Sequence, residues 1–163
     1  MRLSLIPMLV LGFVFTACAP RAFERGNVSA QSVISNFQAD RGVGATYKIG
    51  EPVSFQFGVN RNGYVTLVTT DSDTTTYELD RNIPVKVGQN ALPPKGANFF
   101  YRIKQPTGTQ LVYLIFTDAP SRGVKFEGQL EADKLETRLN EFFNASGTKT
   151  RDVVQTSFEV INP

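Results

Sequence analysis

Through most of this chain apolar and polar residues alternate with a period of two. In "VSFQFGVN", Val53, Phe55, Phe57 and Val59 fall on one side and Ser54, Gln56, Gly58 and Asn60 on the other. That is the pattern of a strand with one buried face. Asn62-Gly63 follows; both residues tolerate positive φ, which predicts a hairpin returning through "YVTLVTT". "DSD" at 71–73 makes the next polar break, and "TTTYEL" reads as another strand. Ile83, Val85 and Val87 alternate before "GQNALPPKG" interrupts the pattern, and "NFFYRI" sets Phe99, Tyr101 and Ile103 on one side. Beyond Pro106-Thr107-Gly108, "TQLVYLIFT" is almost continuously apolar, as a central strand covered on both faces would be. "GVKFEG" is a short strand, and "VVQTSFEVI" alternates Val154, Thr156, Phe158 and Val160. Short strands separated by Gly, Pro and Asn turns predict an all-β chain folded as an antiparallel β-sandwich.

One stretch departs from period two. In "QLEADKLETRLNEFFNASG", Ala132, Leu135, Leu139 and Phe142 recur every three or four residues with charges between them. This predicts an amphipathic helix over about 129–144, inserted near the C-terminus and closed by Gly147.

The first residues follow another grammar. Arg2 precedes an apolar run from Leu3 to Ala17 that is interrupted by Pro7 and ends at Cys18. The run is shorter than the roughly 20 residues needed to cross a bilayer, and its form is that of a secretory signal peptide. "FTAC" at 15–18 resembles the lipobox of bacterial lipoproteins, in which a small residue precedes a cysteine that is acylated and becomes the mature N-terminus. Cys18 is the only cysteine of the chain, so it has no disulfide partner within it. The resemblance implies residues 1–17 as signal peptide, Cys18 as the lipidation site and 18–31 as a lipidated tether. The sandwich domain then occupies 32–163. Ala19 after the cysteine resembles lipoproteins sorted to the outer membrane.

Composition narrows the chemistry. The chain of 163 residues has no histidine, which removes Ser–His and Cys–His catalytic pairs and the commonest ligand of zinc and copper. Seventeen Lys and Arg against fifteen Asp and Glu give a net charge of +2 with no basic stripe, which argues against nucleic acid as a partner.

"YKIGEPVSFQFGVNRNGYVTLVTTDSD", "VKVGQNALPP" and "QPTGTQLVYLIFT", in that order, resemble a module of unknown function found in bacterial envelope lipoproteins. Gly50, Glu51 and Val53 match its first strand opening, and Asn60, Asn62, Gly63 and Tyr64 its turn. Leu92, Pro93 and Pro94 match its central break, and Pro106, Gly108 and Gln110 its later strand opening. The resemblance covers roughly residues 45–120 and implies an Ig-like sandwich with no agreed catalytic residues. The whole layout is similar to lipoproteins that accompany surface-layer and outer-membrane porin assemblies.

Candidate sites are few. Asp71 and Asp73 could turn two carboxylates toward one hard cation, but Ca²⁺ takes about six or more oxygens and no further acid is nearby, so a solvated turn is the preferred reading. Glu78 with Asp80, or Glu127 with Glu131, are acid pairs of the type used in glycoside hydrolysis, yet acids are scattered throughout. Tyr64, Tyr77, Tyr101, Tyr113 and Phe100 are candidates for a sugar-stacking platform, with Tyr113 and Phe100 assigned to the core and Tyr64 to the surface. Arg61, Asn62 and Tyr64 at one turn form a candidate partner-binding patch, Tyr and Arg being enriched at interface hot spots.

The sequence therefore predicts a non-enzymatic envelope lipoprotein with no cofactor. It would be held at a membrane through its N-terminal lipid, with a surface-layer or outer-membrane protein as partner. Two alternatives stand beside it: a glycan- or peptidoglycan-binding module, and a metal-dependent envelope enzyme. Retention on purified cell-wall sugar would favour the first, and bound metal together with a solvent-facing cluster of acids the second.

Overall fold

The structure is a computed structural model, and it describes Ser29 and residues 31–163. The expected signal peptide, the expected lipidation site at Cys18 and nearly all of the expected tether lie outside the described residues. Two sheets and a helix form three layers. In chain order the strands are β1 (Ile34–Ala39), β2 (Thr46–Lys48), β3 (Pro52–Val53), β4 (Phe55–Val59), β5 (Gly63–Thr70) and β6 (Thr75–Val85). β7 (Gly88–Leu92), β8 (Tyr101–Arg102), β9 (Gly108–Thr117) and β10 (Glu127–Gln129) follow, then helix α1 (Ala132–Ser146) and β11 (Arg151–Ile161).

β1, β4 and β7 form a three-stranded antiparallel sheet. The larger sheet has the order β10-β6-β5-β9-β11-β2 and is antiparallel except where β11 runs parallel to β2. β3 and β8 pair with each other as a short clasp. The all-β reading thus holds, with α1 the one helix among the described residues.

Alternation decides what each face of the large sheet meets. Val65 and Leu67 of β5, with Val112, Leu114 and Phe116 of β9, turn toward the three-stranded sheet and pack with Phe37, Phe55, Phe57 and Leu92. The intervening residues Val68, Leu111, Tyr113 and Ile115 turn the other way and meet Leu135, Leu139, Phe142 and Phe143 of α1. The apolar run of β9 reflects this double covering: Leu111 to Phe116 are all buried. The helix lies over the outer face of the large sheet, and its predicted stripe is the buried one at Leu135, Leu139 and Phe142. It ends at Gly147 with φ 63°, the left-handed cap that glycine allows, and the Gly147 N–H donates to the Asn144 carbonyl.

Several local expectations need correction. Asn62-Gly63 does not close a hairpin, since β4 pairs with β1 and β7 while β5 pairs with β6 and β9. The turn carries the chain from one sheet to the other, and neither residue adopts positive φ. "TTTYEL" and "IPVKV" belong to a single strand, β6, and Val87 is exposed beyond its end. Continuity comes from irregular register opposite β5 and from Asn82, which takes φ 53°. The Asn82 amide donates to the Ser121 carbonyl at 2.8 Å and accepts from the Ser121 N–H at 2.8 Å, which holds that conformation. "GQNALPPKG" starts as a strand, β7, rather than breaking the pattern.

β1 carries no clean alternation because it is bulged. Its register shifts between Ser35 and Gln38, and Asn36 takes φ 53°, so Ile34, Phe37 and Ala39 are the inward residues.

A candidate binding cleft at the open end of the two sheets

The large sheet outruns the small one, and its inner face continues past the shared core. In register across the sheet, Thr69 of β5 lies beside Val112 of β9 on one side and Tyr77 of β6 on the other. One step further on are Asp71, at the end of β5, and Gln110. The segment from Phe100 to Gln105, including β8, runs opposite these residues and encloses a cleft of about 670 Å³, within the usual range of about 300–1,000 Å³ for ligand sites. Phe55, Val112 and Phe158, all buried, form its floor. Tyr77, Leu79 and Phe100 form its rim, with relative exposures of 43%, 40% and 54%.

The 100–105 segment is held by backbone and side-chain bonds. The Ile103 N–H donates to the Glu51 carbonyl at 2.9 Å, and the Gly50 N–H donates to the Ile103 carbonyl at 2.9 Å. The Tyr101 hydroxyl donates to Asp80 Oδ2 at 3.2 Å, and burial followed by the neighbouring carboxylate raises its pKa. The Arg102 guanidinium lies 4.4 Å from the centre of the Phe100 ring, and its Nη1 donates to the Gly50 carbonyl. Phe99 packs edge-on against Tyr101 with ring centres 5.8 Å apart. Lys104, also on the wall, is exposed.

Asp71 is the acid of this cleft. Its residue is only 4% exposed, and burial pushes its carboxyl up to about 6, against the opposing effect of a hydrogen bond from the Tyr77 hydroxyl. Burial also raises the Tyr77 phenol, with Asp71 adding to the effect. Asp73 behaves differently: its exposed carboxylate accepts the Thr75 N–H at 2.9 Å and is held below the usual range by that bond. The "DSD" segment is the tight β5–β6 turn, with the Thr74 N–H donating to the Asp71 carbonyl and Thr74 at φ 68°. Asp73 is thus the solvated turn residue expected, whereas Asp71 is buried. Among the described residues no three His, Cys, Asp or Glu side chains gather as a metal-binding group.

The other candidates lie elsewhere. Arg61, Asn62 and Tyr64 stand together at the opposite end of β5 from Asp71. Arg61 Nη1 donates to Thr150 Oγ1 at 2.9 Å, and Asn62 Oδ1 accepts the Val87 N–H at 3.0 Å. Tyr64 is half-buried opposite Pro84 and Thr117. Glu78 is ion-paired with Arg81, which also donates to the Gly123 and Val124 carbonyls, while Asp80 takes the Tyr101 hydroxyl. Glu127 and Glu131 are exposed, and Glu131 opens α1 without a side-chain cap. Tyr113 is a core residue as expected. Phe100 is not: the segment before β8 leaves the sheet, so strand parity no longer applies to it. Leu79 of β6, Lys104 and Asp71 gave no sequence signal for a shared site, because they meet only through the overhang of the large sheet.

Residues 46–120 match the domain of unknown function DUF4384. The DUF4384 span runs from β2 through β9, so β1, β10, α1 and β11 lie outside it. Of the residues named in the cleft, only Phe158 lies beyond the DUF4384 span. None of the curated proteins and none of the solved structures matches this chain.

Proposed function

We infer that this protein is a non-enzymatic lipoprotein of the bacterial envelope, attached through Cys18, whose Ig-like sandwich docks a surface-layer or outer-membrane protein. One observation carries the docking reading. Of seven large apolar side chains exposed among the described residues, Tyr77, Leu79 and Phe100 rim the cleft, and Phe99 packs on its Tyr101 wall. Exposed apolar groups concentrated at one place mark interaction sites, whereas scattered ones are ordinary. The leader ending in Cys18 supports attachment to a membrane, and no helix among the described residues is long and apolar enough to cross one. The carboxylates weighed for hydrolysis at 78 and 80 are engaged by Arg81 and Tyr101, which favours binding over chemistry.

The rings of Phe100 and Tyr77 also suit a sugar, so a glycan-binding module is the second reading. Crosslinking in intact cells, followed by purification of the full chain, separates the two. The docking reading expects one protein in near-stoichiometric yield, lost when Tyr77 and Phe100 are both replaced by serine. Retention of the purified protein on cell-wall polysaccharide, with no crosslinked protein, would favour the glycan reading instead.

A further inference from the structure

The cleft combines three kinds of surface. Its floor of Phe55, Val112 and Phe158 is apolar and belongs to the core between the sheets. Asp71 adds a carboxylate whose lone pairs are not exhausted by the Tyr77 hydroxyl, since a carboxylate can accept about four hydrogen bonds. The wall supplies two cations, Arg102 and Lys104, and neither belongs to an ion pair among the described residues, where the pairs are Arg41–Glu51, Arg81–Glu78 and Arg138–Glu141. A sugar would leave the apolar floor unmatched. A simple alkyl chain would leave the Asp71 lone pairs beyond the Tyr77 bond without a donor, and unmet hydrogen-bonding capacity of a buried polar group is unfavourable. A basic segment would meet Arg102 and Lys104 at the entrance.

An aromatic side chain with a polar hydrogen meets both inner requirements: its ring covers the floor and its O–H or N–H reaches an acceptor. Carboxylates beside it in sequence would meet the cationic wall, and such complementarity fixes register and suppresses other partners.

Resting on the docking reading, we propose that the cleft seats a tyrosine or tryptophan anchor from an acidic segment of the partner protein. The ring lies on Phe55, Val112 and Phe158, its hydrogen is donated to Asp71, and neighbouring carboxylates face Arg102 and Lys104.

The test uses the full-length chain in its own cells, with photoreactive benzoylphenylalanine at position 100 and, as controls, at positions 43 and 87. Val43 and Val87 are exposed at 69% and 62% and lie away from the cleft. The proposal expects crosslinks from position 100 and not from the controls, to a peptide carrying a tyrosine or tryptophan beside acidic residues. Adding Lys104→Glu should reduce that yield about tenfold, like charges across an interface being unfavourable, while the melting temperature stays within a few degrees of that of the parent chain. Crosslinks from 100 to glycan, to lipid or to a basic peptide would overturn the proposal, as would a yield indifferent to Lys104→Glu. Crosslinks from 43 or 87 alone would remove the cleft and leave the docking reading standing. Crosslinks to no protein from any of the three positions would count against both.

Discussion

Gly63 and Phe116 are in such close contact that residue 63 has no room for a side chain. A Cβ built on Gly63 would fall against the Phe116 ring and lie 2.7 Å from the Thr117 carbonyl oxygen. The glycine is required by the approach of β5 to β9 and not by a left-handed backbone.

Replacing Gly63 with alanine is therefore expected to destabilise the fold by about 1–3 kcal/mol, the usual cost of overpacking. Asn62→Ala, which removes only the acceptor of the Val87 N–H, should cost about 0.5–1.5 kcal/mol. Urea denaturation of the two variants checks the order; equal midpoints would mean that the corner yields easily.

Asp71 should make stability depend on pH. Its carboxyl is raised from the ordinary 3.8 to about 6 by burial, so the folded state holds the proton more tightly than the unfolded chain. This stabilisation is fully present below about pH 4 and is lost as pH rises through about 6. The loss should be about 2 kcal/mol, since one pKa unit is worth about 1.4 kcal/mol and residual solvation of the carboxylate reduces the effect. Asp71→Asn removes the titrating group, so the difference in unfolding free energy between pH 4.5 and 7.5 should shrink by that amount. An unchanged difference would place the carboxylate in water.

Asp152 ties the first strand to the last. Its Oδ2 accepts the N–H groups of Val33 and Ile34 at 2.7 and 2.8 Å, and the residue is completely buried. Asp152→Ala would leave both donors without this acceptor, at a cost of roughly 2–5 kcal/mol. Hydrogen exchange should show residues 33–39 losing protection first; uniform loss across the fold would contradict a local role.

Phe100 should behave as a surface residue in stability and as a site residue in binding. Phe100→Ala gives up a contact with Arg102 but little buried area, so unfolding free energy should change by less than about 1 kcal/mol. Recovery of a crosslinked partner should fall with the same variant. A large loss of stability would move Phe100 into the core, the place the sequence reading expected for it.

Period-two alternation was enough to read β4 and β11, which each keep a buried face, and the continuous apolar run was enough to read β9, which is covered on both faces. The helical stripe of α1 was equally legible, and Gly147 marked its end. β1 escaped notice because a bulge at Asn36 shifts its inward set, and β7 because only Leu92 is buried on it. Asn62-Gly63 announced a reversal without saying which sheets it joins, since turn chemistry does not encode the pairing partner. The cleft was least visible. Asp71, Phe100 and Lys104 come from a turn and an irregular segment, and what unites them is a large sheet that extends beyond the smaller one.

The proposed anchor at residue 18 is tested most directly by intact mass spectrometry of the protein extracted from native membranes. The expected species begins at Cys18 and carries acyl chains on that cysteine. A chain that retains Met1 to Ala17 with a free thiol, or that is recovered from the soluble fraction, would contradict an envelope lipoprotein.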